Sequence, residues 1–244
     1  MPVPPDLIDL LRKASSIAVL TGAGVSAESD VPTFRDAQTG LWARYSPQEL
    51  ATPEAFRRDP GLVWEWYARR RELITKARPN PAHLALVEME KRVADFTLIT
   101  QNVDGLHRRA GSRNVLELHG DILRTKCSRE NRFVETWEDT GEVPPRCPGC
   151  DAFLRPDVVW FGEDLPAEAL CAAWRAAESC QVFFSIGTST LVEPAASLPF
   201  LALQNGATVV EINPQETPLT SKAAFVFHGL AGTILPELVE AIRG

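Results

Sequence analysis

The chain has 244 residues, enough to bury a sizeable core as one large domain or as a domain with a smaller insertion. Hydrophobic residues make up 45% and charged residues 23%, ordinary for a globular protein and unlike a disordered or fibrous one. The net charge of −7, from 25 basic and 32 acidic residues, is the wrong sign for a duplex-binding surface, so nucleic acid is not an expected partner.

No apolar run approaches the roughly 20 residues that span a bilayer. The opening "MPVPPDLIDLLRK" has neither a basic leader nor a cleavable apolar stretch, so a cytoplasmic location away from membranes is expected. Five cysteines, two of them in a C-x-x-C, fit a reduced compartment with metal-bound or buried thiols better than a disulfide framework.

In chain order, "PPDLIDLLRKASS" places Leu7, Leu10 and Leu11 at helical spacing, and "IAVLTG" reads as a buried strand entering a glycine turn. After an interruption, "PAHLALVEMEKRV" is helical, "DFTLITQN" and "NVLELHG" are strands, "AEALCAAWRAAESC" is a helix and "QVFFSIGTS" a strand. "PAASLPFLALQNG" then reads as a helix, "ATVVEINP" and "AFVFHG" as strands, and "TILPELVEAIRG" as a closing helix. Apolar strands alternating with amphipathic helices imply an α/β fold with a doubly wound, Rossmann-like parallel sheet. Two stretches break this rhythm, one of proline-punctuated helices rich in Trp and Arg and one of short polar pieces with Cys and Pro. They suggest a smaller inserted lobe of residues 37–80 and 125–156, against a sheet domain of 1–36, 81–124 and 157–244.

Directly after the first strand, Gly22, Gly24 and Ala27 in "TGAGVSAESDVPTFR" match G-x-G-x-x-G/A, in which glycines let a pyrophosphate approach the backbone. A tight turn without a ligand would read the same way. A dehydrogenase would next show a strand ending in a ribose-binding carboxylate, and here the region is a polar loop. "TQNVDGLHRRAG" follows a strand and packs Gln101, Asn102 and Asp104 into one loop, more polar than a turn requires. "ELHG" puts His119 at a strand end, where its ordinary pKa suits a general base. His83, His107 and His228 have no comparable setting. In "WYARRREL", Tyr67 and Arg70 share a helix face at i and i+3, while Arg69 and Arg71 splay to either side and read as solvated charge.

The segments "GAGVSAES" with "PTFR", "TQNVDGLH", "ELHG", "VVWFGE", "GTS" and "EINP" occur in the order and spacing of the sirtuins, the NAD-dependent protein lysine deacylases, and the chain resembles that family from about Ser16 to Gly244. The resemblance implies that Gly22, Ala23, Gly24, Ser26, Glu28, Phe34 and Arg35 hold the NAD pyrophosphate and close over the cofactor. It implies that Gln101, Asn102 and Asp104 orient the nicotinamide ribose and carboxamide, and that Gly187, Thr188, Ser189 and Asn213 hold the adenosine half. Val159, Trp160, Phe161, Gly162 and Glu163 would line the acyl-lysine channel and pair with the peptide as an added strand.

In the implied chemistry the acyl oxygen captures the ribose as nicotinamide leaves. A ribose hydroxyl deprotonated through His119 then attacks that adduct, and addition of water expels the amine, giving lysine, nicotinamide and 2′-O-acyl-ADP-ribose. Sirtuins typically carry two C-x-x-C pairs around zinc. This chain has Cys127, Cys147 and Cys150, with Glu130 where the fourth cysteine belongs, so either three thiolates and a carboxylate hold zinc or the module is metal-free. Cys171 and Cys180 read as small core residues.

Tyr67-x-x-Arg70 resembles the class III branch, in which such a pair faces the acyl end of the channel, and a guanidinium with a phenol suits malonyl, succinyl or glutaryl lysine. The expected partner is acylated lysine on protein substrates, and the chain is expected to act as a monomer. Competing possibilities are a deacetylase without acidic-acyl preference, a hydride-transfer enzyme, a mono-ADP-ribosyltransferase, and a silent NAD or ADP-ribose binding module.

Overall fold

The computed structural model describes residues 3–31 and 47–243. Phe34 and Arg35 lie outside them. Six strands form one sheet in the order β3-β2-β1-β6-β7-β8, with every neighbouring pair parallel. These are β1 (Ser16–Thr21), β2 (Asp95–Thr100), β3 (Val115–Glu117), β6 (Val182–Ile186), β7 (Thr208–Ile212) and β8 (Phe225–Phe227). In chain order within the sheet this is 3-2-1-4-5-6, the Rossmann arrangement, and its direction reverses between β1 and β6.

Alternation along β1 explains why both faces are covered. Ile17 and Val19 join the core formed with α1 (Pro5–Lys13), α6 (Pro81–Glu90) and α10 (Ala231–Arg243), while Ala18 and Leu20 face α8 (Ala167–Ser179) and α9 (Leu198–Gln204). Each predicted core strand and helix has its counterpart here. Three pieces were not foreseen: the short helices α2 (Ala23–Ser26) and α7 (Leu106–Ala110), and an antiparallel pair of β4 (Gly120–Cys127) with β5 (Leu154–Val158). β5 carries Pro156 and β4 is bulged between Asp121 and Thr125, which removes the period-2 signal that would mark them as strands. Among the described residues no helix is long and apolar enough to cross a membrane. Cys180 is buried as expected, but Cys171 is exposed on α8.

The inserted helices are α3 (Pro47–Leu50), α4 (Pro53–Arg58) and α5 (Pro60–Lys76). α5 starts at Pro60 because Asp59 caps the Leu62 amide, and it buries Val63, Trp66, Tyr67 and Ile74 on one stripe. Arg71 is not the solvated charge expected of it. Its guanidinium donates to the carbonyls of Ile122 and Arg124 and to Thr125 Oγ1, and lies over the Trp64 ring. Arg71 therefore ties α5 to β4, whereas Arg69 is exposed. Arg71→Met should lower unfolding free energy by about 1–3 kcal/mol, because a charged donor to several carbonyls is lost. Arg69→Met should stay within about 0.5 kcal/mol. Urea unfolding of the two variants compares them, and equal effects would refute the anchor.

Candidate functional site

The carboxyl ends of β1, β2, β6 and β7 meet at the point where strand order reverses, the place where open α/β sheets bind ligands. The β1 and β6 loops touch backbone to backbone: Gly22 N donates to Ile186 O at 3.0 Å and Gly24 N to Gly187 O at 2.9 Å. A Cβ on Gly22 or Gly24 would stand 2.8 Å from Gly187 O, and Gly187 itself has φ +59°. These glycines thus serve the close contact between two loops, which side chains at those positions would prevent.

Polar side chains knit the four strand ends together. Gln101 Nε2 donates to Thr188 Oγ1 at 2.9 Å, and Asn213 Nδ2 to Thr188 O at 3.0 Å. Asn102 Nδ2 donates to Gly22 O and to Ser26 Oγ, both at 3.1 Å. A carbonyl only accepts, so this arrangement fixes the amide's orientation. It leaves Asn102 Oδ1 without a protein donor among the described residues. Asp104 is buried and takes the Leu106 amide at 2.9 Å, and burial pushes its carboxyl above the ordinary range. Ala23 opens α2 beside these groups, and Ser189 follows Thr188. The chemistry of this set, a glycine turn at a strand end, a fixed amide oxygen and hydroxyls at two strand ends, fits a dinucleotide. β2 ends at Thr100 and runs into Gln101, without the carboxylate that a hydride-transfer enzyme uses for the ribose.

Glu28 is turned toward α10. Its carboxylate accepts the Gly232 amide at 2.7 Å in the first turn of α10, so it caps that helix.

His119 Nδ1 lies 2.8 Å from Gln101 O, which can only accept, so Nδ1 carries the proton and Nε2 holds the lone pair. Burial lowers the imidazole pKa below its usual value, keeping it neutral. Val159 N donates to His119 O at 3.0 Å, bringing the VVWFGE segment alongside the imidazole. Within that segment Trp160 is buried, Phe161 and Gly162 are exposed, and Glu163 Oε2 accepts the Trp160 amide at 2.8 Å. Tyr67 on α5 is 1% exposed, and its Oη accepts from Trp160 Nε1 at 3.0 Å. Arg70, half-buried, places its guanidinium 5.0 Å from the Trp66 ring centre.

Sequence reasoning passed over a supporting row beneath the site. Thr100 Oγ1 takes the Asn102 amide at 3.0 Å and lies 2.9 Å from Thr21 Oγ1, which is 3.0 Å from His107 Nε2. Threonines ending two adjacent strands were the available signal. His83 belongs to the capping box of α6 with Asn80.

Away from the sheet, the ligand atoms of Cys127, Cys147, Cys150 and Glu130 all lie within 4.8 Å of one another. Three thiols and a carboxylate at that spacing suit a small four-coordinate cation. Arg132 pairs with Glu130 and reaches Cys147 Sγ at 3.5 Å.

A profile of the Sir2 family matches residues 22–194. The chain is 52% identical, over 91% of its length and 92% of the relative's, to a protein of Caldanaerobacter subterraneus subsp. tengcongensis named NAD-dependent protein deacylase 1. It is similar at 48% identity and a TM-score of 0.92 to the crystal structure of a Sir2 homologue in complex with NAD, covering 99% of this chain and 94% of that one. It is similar at 48% identity and a TM-score of 0.91 to a Sir2 homologue mutant in complex with 2′-O-acetyl ADP ribose, with 99% and 97% covered. With that profile spanning the hydrogen-bonded network from Gly22 to Thr188, the chain belongs to the Sir2 family and is an NAD-dependent protein deacylase.

Proposed function

We propose that this deacylase removes succinyl and malonyl groups, and acetyl as well, from lysines of protein substrates. The 3.0 Å hydrogen bond from Trp160 Nε1 to Tyr67 Oη carries this reading, because it joins the Tyr67-Arg70 helix face to the segment that runs beside His119. Burial raises the Tyr67 pKa, so the phenol stays a donor, and a guanidinium keeps its charge even when partly desolvated. Together they suit a carboxylate at the far end of an acyl chain.

NAD, when bound, supplies a nicotinamide–ribose bond whose cleavage makes the ribose carbon electrophilic toward the acyl oxygen. The protein's own groups then have distinct tasks. Gly22, Gly24 and Ser26 with Thr188, Ser189 and Asn213 hold the dinucleotide, Gln101, Asn102 and Asp104 orient its ribose, and His119 Nε2 takes the hydroxyl proton. Trp160 and its neighbours Val159 to Glu163 receive the acyl-lysine.

Mass spectrometry of one peptide carrying acetyl-, malonyl- or succinyl-lysine, with and without NAD, tests the proposal. NAD-dependent loss of succinyl and malonyl is expected, and turnover of acetyl alone would refute the acidic preference.

Cys127, Cys147, Cys150 and Glu130 would hold zinc, which supplies a cross-link for a segment whose own buried cluster is small. The purified protein should carry one zinc per chain, and Glu130→Cys should slow its removal by a chelator, since a fourth thiolate is the better ligand. Metal analysis after timed chelation measures both. Metal-free protein with an unchanged unfolding temperature would show that the module is held by packing.

A further inference from the structure

Among the described residues the hydroxyl of Tyr67 has a donor but no acceptor. Its oxygen receives Trp160 Nε1–H at 3.0 Å, the residue is 1% exposed, and among the described residues no protein group accepts its proton. A buried O–H left in this state is costly unless a ligand completes it.

Trp160 is itself held from three sides. Its amide donates to Glu163 Oε2 at 2.8 Å. The Arg155 guanidinium lies 3.2 Å from the indole centre, and Arg155 in turn donates to Glu163 Oε2 and to Val158 O, each at 2.8 Å. The Phe56 ring packs at 5.2 Å. The indole can therefore point its N–H in one direction only, toward the phenol oxygen.

We propose that Trp160 is a positioning residue for acyl selectivity. By occupying an acceptor lone pair of Tyr67 it turns the phenol into an obligate donor, whose proton is left for an oxygen on the distal end of the acyl group. The Arg155–Glu163 pair keeps the indole at that angle. A succinyl or malonyl carboxylate completes the chain from Trp160 through Tyr67, and polarisation along such a chain strengthens the last bond. An acetyl group offers no oxygen at that depth and leaves the proton unmet, so the same arrangement selects against it. This inference rests on the acidic-acyl reading above.

The test replaces Trp160 with benzothienylalanine, which keeps the shape of indole but lacks the N–H, and with phenylalanine. Each is made in the wild-type and the Tyr67→Phe background. kcat and KM are measured for the succinyl- and acetyl-lysine forms of one peptide at saturating NAD. The succinyl-to-acetyl ratio of kcat/KM should fall about three- to tenfold with benzothienylalanine, carried by KM, with no further fall in the Tyr67→Phe background. If Tyr67→Phe lowers the ratio and benzothienylalanine does not, the N–H has no role. If benzothienylalanine costs the same factor in both backgrounds, Trp160 acts by packing alone, and the proposal is also wrong. If Tyr67→Phe itself leaves the ratio unchanged, the acidic-acyl reading falls, and this inference with it. Should Trp160→Phe unfold, the isosteric variant still decides.

Discussion

Replacing His119 by alanine should lower kcat/KM for deacylation by about 10²–10⁴-fold, the usual contribution of a positioned general base. The geometry allows this role because the Gln101 carbonyl accepts the Nδ1–H hydrogen bond, which keeps the proton on Nδ1 and leaves Nε2 unprotonated. The pH dependence gives a second, sharper readout. Burial lowers the His119 pKa below its ordinary value of about 6.5, so the basic form persists into more acid solution. Activity should therefore rise with pH through a midpoint below about 6.5, and that limb should vanish in the alanine variant. A limb that survives the substitution would assign the base to another group.

The same burial acts on stability through a different residue. His83 is held near pKa 4 by desolvation inside α6. Its folded value lies below the unfolded value of about 6.5, so its contribution is complete above pH 6.5. The contribution is lost as pH falls toward 4, by an amount on the order of 3 kcal/mol. Urea unfolding at pH 7 and pH 4.5 measures the difference, and His83→Gln should flatten it.

Tyr67→Phe and Arg70→Met should each shift selectivity away from acidic acyl groups, and Arg70→Met more. Loss of a bidentate, charge-assisted contact to a carboxylate is expected to lower kcat/KM for succinyl-lysine by roughly 10–100-fold relative to acetyl-lysine. Tyr67→Phe removes one neutral donor and should cost roughly three- to tenfold by the same comparison. Steady-state kinetics on paired peptides decide it. If both variants lower succinyl and acetyl turnover by the same factor, these residues support the fold of the small helices and do not read the acyl group.

The two arginines flanking Arg70 show where pattern alone runs out. In "WYARRREL" the helix and the i, i+3 relation of Tyr67 and Arg70 were legible, because helical period is a local property. That Arg71 would be drawn into the carbonyls of Ile122 and Arg124 was not, since its partners are about 50 positions away and lie on β4, a bulged strand without strand patterning. Glu28 makes the same point. It sits inside a glycine-rich nucleotide-loop motif, yet its carboxylate ends on an amide 204 positions later.

The sequence by itself determined the class of fold, the polar motifs at the strand ends, and the family. Those follow from apolar periodicity and from short motifs in which each residue type has a local physical purpose. Only the tertiary structure decided how the strand ends engage one another. It showed that Gly22, Gly24 and Gly187 are small because two loops touch, that Asn102 is oriented by Gly22, and that His119 takes its tautomer from Gln101. It also showed that Tyr67 is bound by Trp160 across 93 positions. Hydrogen-bond direction and close packing are pairwise properties of groups far apart in the chain, and no local pattern encodes them.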